Sequence, residues 1–297
     1  MARRVDANSL QRHLQRHASS DAPWLHQEVA RRMADRLAVI RAKPARVLDW
    51  WSQLGGSAAL LQQSYPQARL LAVEPAATLA ASSSATPRWW QRLLGNRLSV
   101  HADNALPAEQ LPAQLLWANM MLHWVDELPP LLERWHGALA QDGFLMFSCF
   151  GPDTLKELRA LYTQAGWGPL GSAQIDMHDI GDALVHAGFA DPVMDMEVLT
   201  LTWDSPQALL AELRSLGANT APKRYAGLRT PRWRARLEQQ LEQTLRRADG
   251  RLHLSFEIVY GHAFRPAPRV RVQAQTEISL QSMREMTRRR GSGDSTP

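Results

Sequence analysis

The chain reads as an α/β protein whose core is a mostly parallel, seven-stranded sheet with one antiparallel strand and helical additions. Two patterns carry that reading. Between residues 45 and 150 five short apolar segments recur, most of them separated by helical stretches, the rhythm of parallel strands joined by crossover helices. After Gly151-Pro152 the rhythm changes: VMDMEVLTLTW (193–203) alternates with period two, as an antiparallel strand does, and LSFEIVYGHAF (254–264) supplies a last strand.

In chain order, WLHQEVARRMADRLAVIR (24–41) places Leu25, Val29, Met33, Leu37 and Ile40 three or four residues apart, which predicts an amphipathic helix ended by Lys43-Pro44. It belongs to an N-terminal helical segment, residues 1–44. The opening RRVDANSLQRHLQRHASS is rich in Arg and Ser, as transit peptides are, although Asp6 and Asp21 argue against one. The sheet domain is expected over 45–267. Its first five strands are ARVLDW (45–50), RLLAVE (69–74), RLSVHA (97–102), AQLLWAN (113–119) and GFLMFSCF (143–150). Asp153 is the expected N-cap of TLKELRALY, and Asp176 or Asp179 that of IGDALVHAGF, closed by Gly188. A helical insertion is expected at about 205–249. Ser205-Pro206 opens its first helix, and a second (231–248) runs through Asp249-Gly250 into the last strand. Residues 268–297 are polar, basic and Gly/Ser-rich, a weakly ordered tail by composition.

Composition narrows the function. A single cysteine, Cys149, excludes an internal disulfide framework and a thiolate zinc cluster, and its place in an apolar strand makes it core. The formal charge of +5 suits an acidic partner, or simply a solvated surface. No run of about 18 apolar residues predicts a membrane span, and a cytoplasmic location is expected. Trp89-Trp90 followed by Arg92 could stack on nucleic acid, but no recognised binding motif surrounds them, so no nucleic-acid partner is expected. Helix capping accounts for Asp176, His178 and Asp179 more simply than a metal site does.

Ligands of open parallel sheets bind beyond the carboxyl ends of the strands. Four such ends here carry suitable groups. Asp49 ends the first strand, with Gly55-Gly56 where a helix should begin; Glu74 ends the second, where an acid accepts both hydroxyls of a ribose. Asp103-Asn104 follow the third, suited to an adenine edge, and Asn119 with MMLHW follows the fourth. The set points to an adenosine-containing ligand, and the absence of a Walker GKS or GKT argues against phosphoryl transfer.

LLWANMMLHWVDELPPLLERWHGALAQDGFLMFSCFGPDTLKELR (115–159) resembles the fourth and fifth strands of class I S-adenosylmethionine-dependent methyltransferases, and specifically the malonyl-acyl-carrier-protein O-methyltransferases of biotin synthesis. MHDIGDALVHAGFADPVMDMEVLTLTW (177–203), LLAELRSLGAN (209–219) and FEIVYGHAFRP (256–266) extend the resemblance over nearly the whole chain from about Arg16 to Pro266. It implies a Rossmann-like fold and S-adenosylmethionine as cofactor. It further implies Asp49 and Gly55 at the methionine turn, Glu74 on the ribose, Asp103 with Asn104 at the adenine, Asn119 beside the sulfonium, and His123 and Trp124 on the substrate side. The implied acceptor is a malonyl group on acyl carrier protein. Arg31, Arg32 and Arg36 are candidate contacts for the acidic recognition helix of that partner.

Two departures stand out. The family pattern after the first strand is Asp-x-Gly-x-Gly-x-Gly, whereas this chain reads Asp49-Trp50-Trp51-Ser52-Gln53-Leu54-Gly55. Glycine serves such a turn because it reaches positive φ without penalty and leaves room for the ligand. Trp51 must re-route the turn or occupy ligand volume, while Trp50 sits at the usual apolar slot. The tyrosine that the family carries before the entry-helix aspartate is also missing from ASSDAPWLHQEVARRM (18–33). The alternative expectation is therefore a catalytically degenerate relative with an assembly or interaction role, or an assembly factor like the related arginine hydroxylase.

Overall fold

The computed structural model describes residues 5–18, 20–76, 78, 98–225 and 227–267. Trp89, Trp90, Arg92 and the basic tail from 268 lie outside them. Seven strands form one sheet in the order β3-β2-β1-β4-β5-β7-β6. They are β1 (Arg46–Trp50), β2 (Arg69–Glu74), β3 (Leu98–Ala102), β4 (Ala113–Ala118), β5 (Leu139–Phe150), β6 (Ala190–Trp203) and β7 (Leu252–Phe264). The first five are parallel, and β7 pairs antiparallel with both β5 and β6. The period-two segment 193–203 thus runs in the same direction as the first five strands. The reversed strand is its neighbour β7.

Apart from their first residue, β1 and β2 are buried throughout, which is why they read as apolar runs rather than alternations. Successive side chains supply opposite faces. Val47, Leu70, Leu115 and Trp117 join one core layer with Leu25, Val29 and Met33 of α2 (Trp24–Asp35). Leu48, Trp50, Leu71 and Leu116 join the other with Leu132 and Trp135 of α5 (Leu128–Ala138). Trp50 packs edge-on against Trp135, with ring centroids 5.9 Å apart. The chain order reverses between β1 and β4, whose residues Val47 and Leu115 are in register. That reversal opens the crevice at the carboxyl ends of the strands.

The helices begin close to where their caps predict, with informative exceptions. Asp176 accepts from His178 N at the start of α7 (Met177–His186), Ser205 from Ala208 N before α8 (Pro206–Leu216), and Thr230 from Trp233 N before α9 (Pro231–Leu245). Asp153 does not cap its helix. Residues 152–155 form a turn in which Leu155 takes φ 57°, and α6 spans Lys156–Gln164. The predicted helix 24–41 is α2 followed by a 3-10 turn over Arg36–Val39. A further helix, α1 (Ala7–His17), lies where the sequence shows an Arg/Ser-rich opening. Asp6 caps it, accepting from Ser9 N at 2.6 Å. No helix among the described residues is long and apolar enough to cross a membrane.

Gly261 of β7 lies opposite Phe147 of β5, and a Cβ there would overlap the Phe147 ring. The sheet requires glycine at that point for close approach. Gly261→Ala is expected to lower stability by about 1–3 kcal/mol through overpacking. Urea unfolding checks this, and unchanged stability would show that the ring has room to move.

Candidate cofactor and acceptor sites

Adjacent strands β3, β2, β1 and β4 bring Asp103, Glu74, Asp49 and Asn119 to one edge of the sheet. Asp49 is fully buried and accepts from Ser52 Oγ at 2.5 Å. Its other oxygen, Oδ1, has no hydrogen-bond partner among the described residues. Burial pushes its pKa up to about 7, opposed by the Ser52 hydrogen bond. The chain then turns through Trp51 at φ 55° and ψ 47° into the short helix α3 (Ser52–Gly55). A left-handed tryptophan costs about 1–2 kcal/mol. The turn is held by Trp51 N donating to Val73 O at 2.6 Å and by burial of the indole. Trp51 both re-routes the turn and fills it.

Glu74 is buried and accepts from Gln53 N at 2.6 Å. The Gln53 side chain donates to His17 O at 3.3 Å and Ser20 O at 2.9 Å, fastening α1 over the same point. Between Leu14, His17, Trp51, Gln53, Glu74 and Thr78 there remains a cavity of about 10 Å³, room for one water at most. Asp103 is half-buried. Burial raises its carboxyl pKa, and the Arg134 charge opposes the rise. The Trp51 indole N–H lies beside that carboxyl without reaching hydrogen-bond geometry. Asn104 is exposed in the following turn.

Asn119 is buried and occupied. Its Nδ2 donates to His26 O at 2.8 Å and Gly55 O at 2.7 Å, and its Oδ1 accepts from Ser148 Oγ at 2.7 Å. A Cβ on Gly55 would sit 3.2 Å from Asn119 O, so this glycine answers to packing against the clamp.

His123 and Trp124 lie buried on a 3-10 turn after β4. His123 packs 4.5 Å from Phe150 and 4.9 Å from Trp124, and His13 of α1 stacks on Trp124 at 4.6 Å. Burial, reinforced by the neighbouring His17, pushes the pKa of His13 down to about 3, so the helix docks with this ring neutral. His123 and Trp124 line a cavity of about 370 Å³. Leu158, Tyr162, Leu210, Leu213, Leu237 and Phe256 supply its apolar wall, and Arg159 of α6 and Arg214 of α8 also line it. The sequence reading singled out neither arginine. Both fall inside segments that carry the family resemblance, TLKELR and LLAELRSLGAN.

The three acids suit S-adenosylmethionine chemically: an orphaned buried carboxylate oxygen for an ammonium, a strand-end glutamate for ribose hydroxyls, and a half-buried acid for an adenine amino group. Among the described residues, Trp51 and α1 close around Glu74 and leave only about 10 Å³ between them.

Comparison with known proteins bears on most of the chain. It is 43% identical over 250 residues to the malonyl-[acyl-carrier protein] O-methyltransferase of Gallionella capsiferriformans, covering 83% of this chain and 86% of that protein. The chain belongs to the malonyl-[acyl-carrier protein] O-methyltransferase family. A second member, from Laribacter hongkongensis, is 41% identical over 256 residues, covering 84% of this chain and 86% of that one. No family model matches the chain. Among solved structures, the YcgJ protein of Bacillus subtilis superposes with TM-score 0.52 at 11% identity, over 82% of this chain and 100% of that one. A putative methyltransferase of Bacillus halodurans gives TM-score 0.51 at 13% identity, over 81% of this chain and 100% of that one. Both share the Rossmann-like fold of this chain.

Asp49 generates a pH prediction. Its folded pKa lies above the unfolded value, so its contribution is intact below about pH 4, where both states hold the proton. It is lost progressively as pH rises from about 4, where the unfolded chain's carboxyl releases its proton, and the loss is complete at the folded value near 7. Asp49→Asn keeps an acceptor for Ser52 and cannot ionise. The stability advantage of the variant is expected to grow by roughly 4 kcal/mol between pH 4 and pH 7.5. Denaturant titrations across that range check it, and parallel profiles for the two proteins would sink it.

Proposed function

We propose that this chain transfers the methyl group of S-adenosylmethionine to a carboxylate oxygen of a malonyl thioester borne by an acyl carrier protein, a step of biotin synthesis in the cytoplasm. The observation that carries the reading is the 43% identity over 83% of the chain to a family member of that name. The strand-end acids support it. In this reading Glu74 holds the ribose hydroxyls, Asp103 with Asn104 borders the adenine, and Asp49 with Gly55 borders the methionine end. When bound, the cofactor supplies an electrophilic methyl group. Asn119 acts at one remove, holding the turn after β1 against β4 and β5.

Little proton transfer is required, since a carboxylate is already ionised at neutral pH. The protein's work is to exclude water and align the reacting oxygen. The apolar cavity beside His123 and Trp124 suits that task. Binding the cofactor requires α1 and Trp51 to leave the space around Glu74. Trp51 and Gln53 in place of the turn's glycines favour a second reading, in which the fold is kept for an interaction role and binds no cofactor.

Calorimetry with S-adenosylhomocysteine, together with methyl transfer to malonyl-loaded carrier protein, separates the two. Trp51→Gly combined with Gln53→Gly reopens the turn and is expected to tighten S-adenosylhomocysteine binding by about tenfold or more, as loss of a competing closed state does. No gain would remove occlusion as the reason for weak binding. In that background Glu74→Ala is expected to cost about 1.5–3 kcal/mol of affinity. Unchanged affinity would take Glu74 out of the site.

A further inference from the structure

The 370 Å³ cavity beside Trp124 holds more than the reacting end of an acceptor needs. Its wall is mainly aliphatic and aromatic, yet two guanidinium groups belong to it. Arg159 donates through Nη1 to Pro152 O and through Nη2 to Thr154 O, both at 2.8 Å. Those carbonyls fix the direction of the fork and leave its charge uncancelled. Neither Arg159 nor Arg214 forms an ion pair with an acid among the described residues, and both are exposed.

The arginines expected to meet an acidic carrier are spent elsewhere. Arg31 pairs with Glu28 and Asp35, Arg32 with Glu28 and Glu197, and Arg36 with Asp195 while lying over the Tyr260 ring. Free positive charge is instead found at the 370 Å³ cavity, whose lining includes both exposed arginines. The same wall contains Gln174, whose Oε1 is buried without a hydrogen-bond partner, an acceptor waiting for an N–H.

Two exposed guanidiniums, an apolar wall and an orphaned amide acceptor in one cavity match the parts of a phosphodiester-linked arm with its alkyl and amide groups. The same cavity includes His123 and Trp124, where the reacting carboxylate is placed in the proposed function. Guanidinium forks bind phosphate oxygens well, and here no internal acid must first be displaced. We infer that Arg159 and Arg214 bind the phosphodiester of a carrier protein's phosphopantetheine arm at the mouth of the acceptor cavity. The arginines therefore set specificity for phosphate-bearing acceptors and do not touch the carboxylate that is methylated. This rests on the carrier-borne acceptor of the proposed function.

The test is calorimetric titration of the full-length protein with phosphopantetheine and with pantetheine, which differ only in the phosphate. The phosphorylated probe is expected to bind about tenfold more tightly, the scale of one or two charge-assisted hydrogen bonds. In Arg159→Gln/Arg214→Gln that preference should fall to parity, while pantetheine binds as before and so certifies the fold. Arg159→Lys, with Arg214 intact, should retain part of the preference. Equal affinity of the two probes for the unaltered protein, absence of binding by either, or a preference that survives the double substitution would each overturn the assignment. A phosphate preference that vanishes with the arginines, in a protein inactive towards malonyl-loaded carrier, would leave this inference standing and overturn the proposed function alone.

Discussion

One buried side chain ties together the elements that make the crevice. Asn119, at the end of β4, spends both amide hydrogens on backbone carbonyls, one on α2 and one on the turn after β1, and takes the Ser148 hydroxyl of β5 on its oxygen. Buried amides of this kind are expensive unless fully bonded. The geometry that satisfies Asn119 therefore also fixes the separation of β1, β4 and β5. His26 belongs to the same knot, with its Nδ1 against Leu54 O. Burial pushes its pKa down to about 4, so it joins the network as a neutral ring. The crevice is held by polar bonds at its floor and by the two apolar layers on either side of the sheet.

The turn after β1 illustrates how a costly local choice persists. Trp51 occupies a backbone region that suits glycine. The indole recovers part of that cost by burial, and its backbone N–H closes onto Val73. A glycine here would leave a hole where α1 now rests. Tryptophan and helix thus make a matched pair: Leu14 and His17 pack against the surface that Trp51 and Gln53 create.

Much of the sheet was legible because its strands are buried on both faces and read as unbroken apolar runs, each ended by one conspicuous polar residue. Asp49, Glu74 and Asn119 were found that way. Within the helical segment expected over 1–44, the limits of the first helix were not legible, because only Leu10 and Leu14 carry its apolar stripe among arginines and histidines. The usable signal was the cap, Asp6 three residues before Ser9. The charge map was equally hidden. Arg32 and Arg36 find their acids on β6, more than 150 residues away in the chain. Sequence alone therefore could not separate neutralised arginines from Arg159 and Arg214. Asp153 misled for a local reason: Leu155 enters the left-handed region and delays the helix by two residues.

The double use of Gln53 has a thermodynamic side. Its backbone N–H occupies Glu74 while its side chain grips α1, so in the proposed function a ligand taking Glu74 competes with the turn that α1 holds in place. The helix is a competitor covalently attached to its target and cannot be diluted away. Observed affinity is then the intrinsic affinity scaled by the fraction of molecules with the helix released. A modest dissociation constant would conceal a well-formed site, and loosening α1 alone, with every ligand contact unchanged, would reveal it.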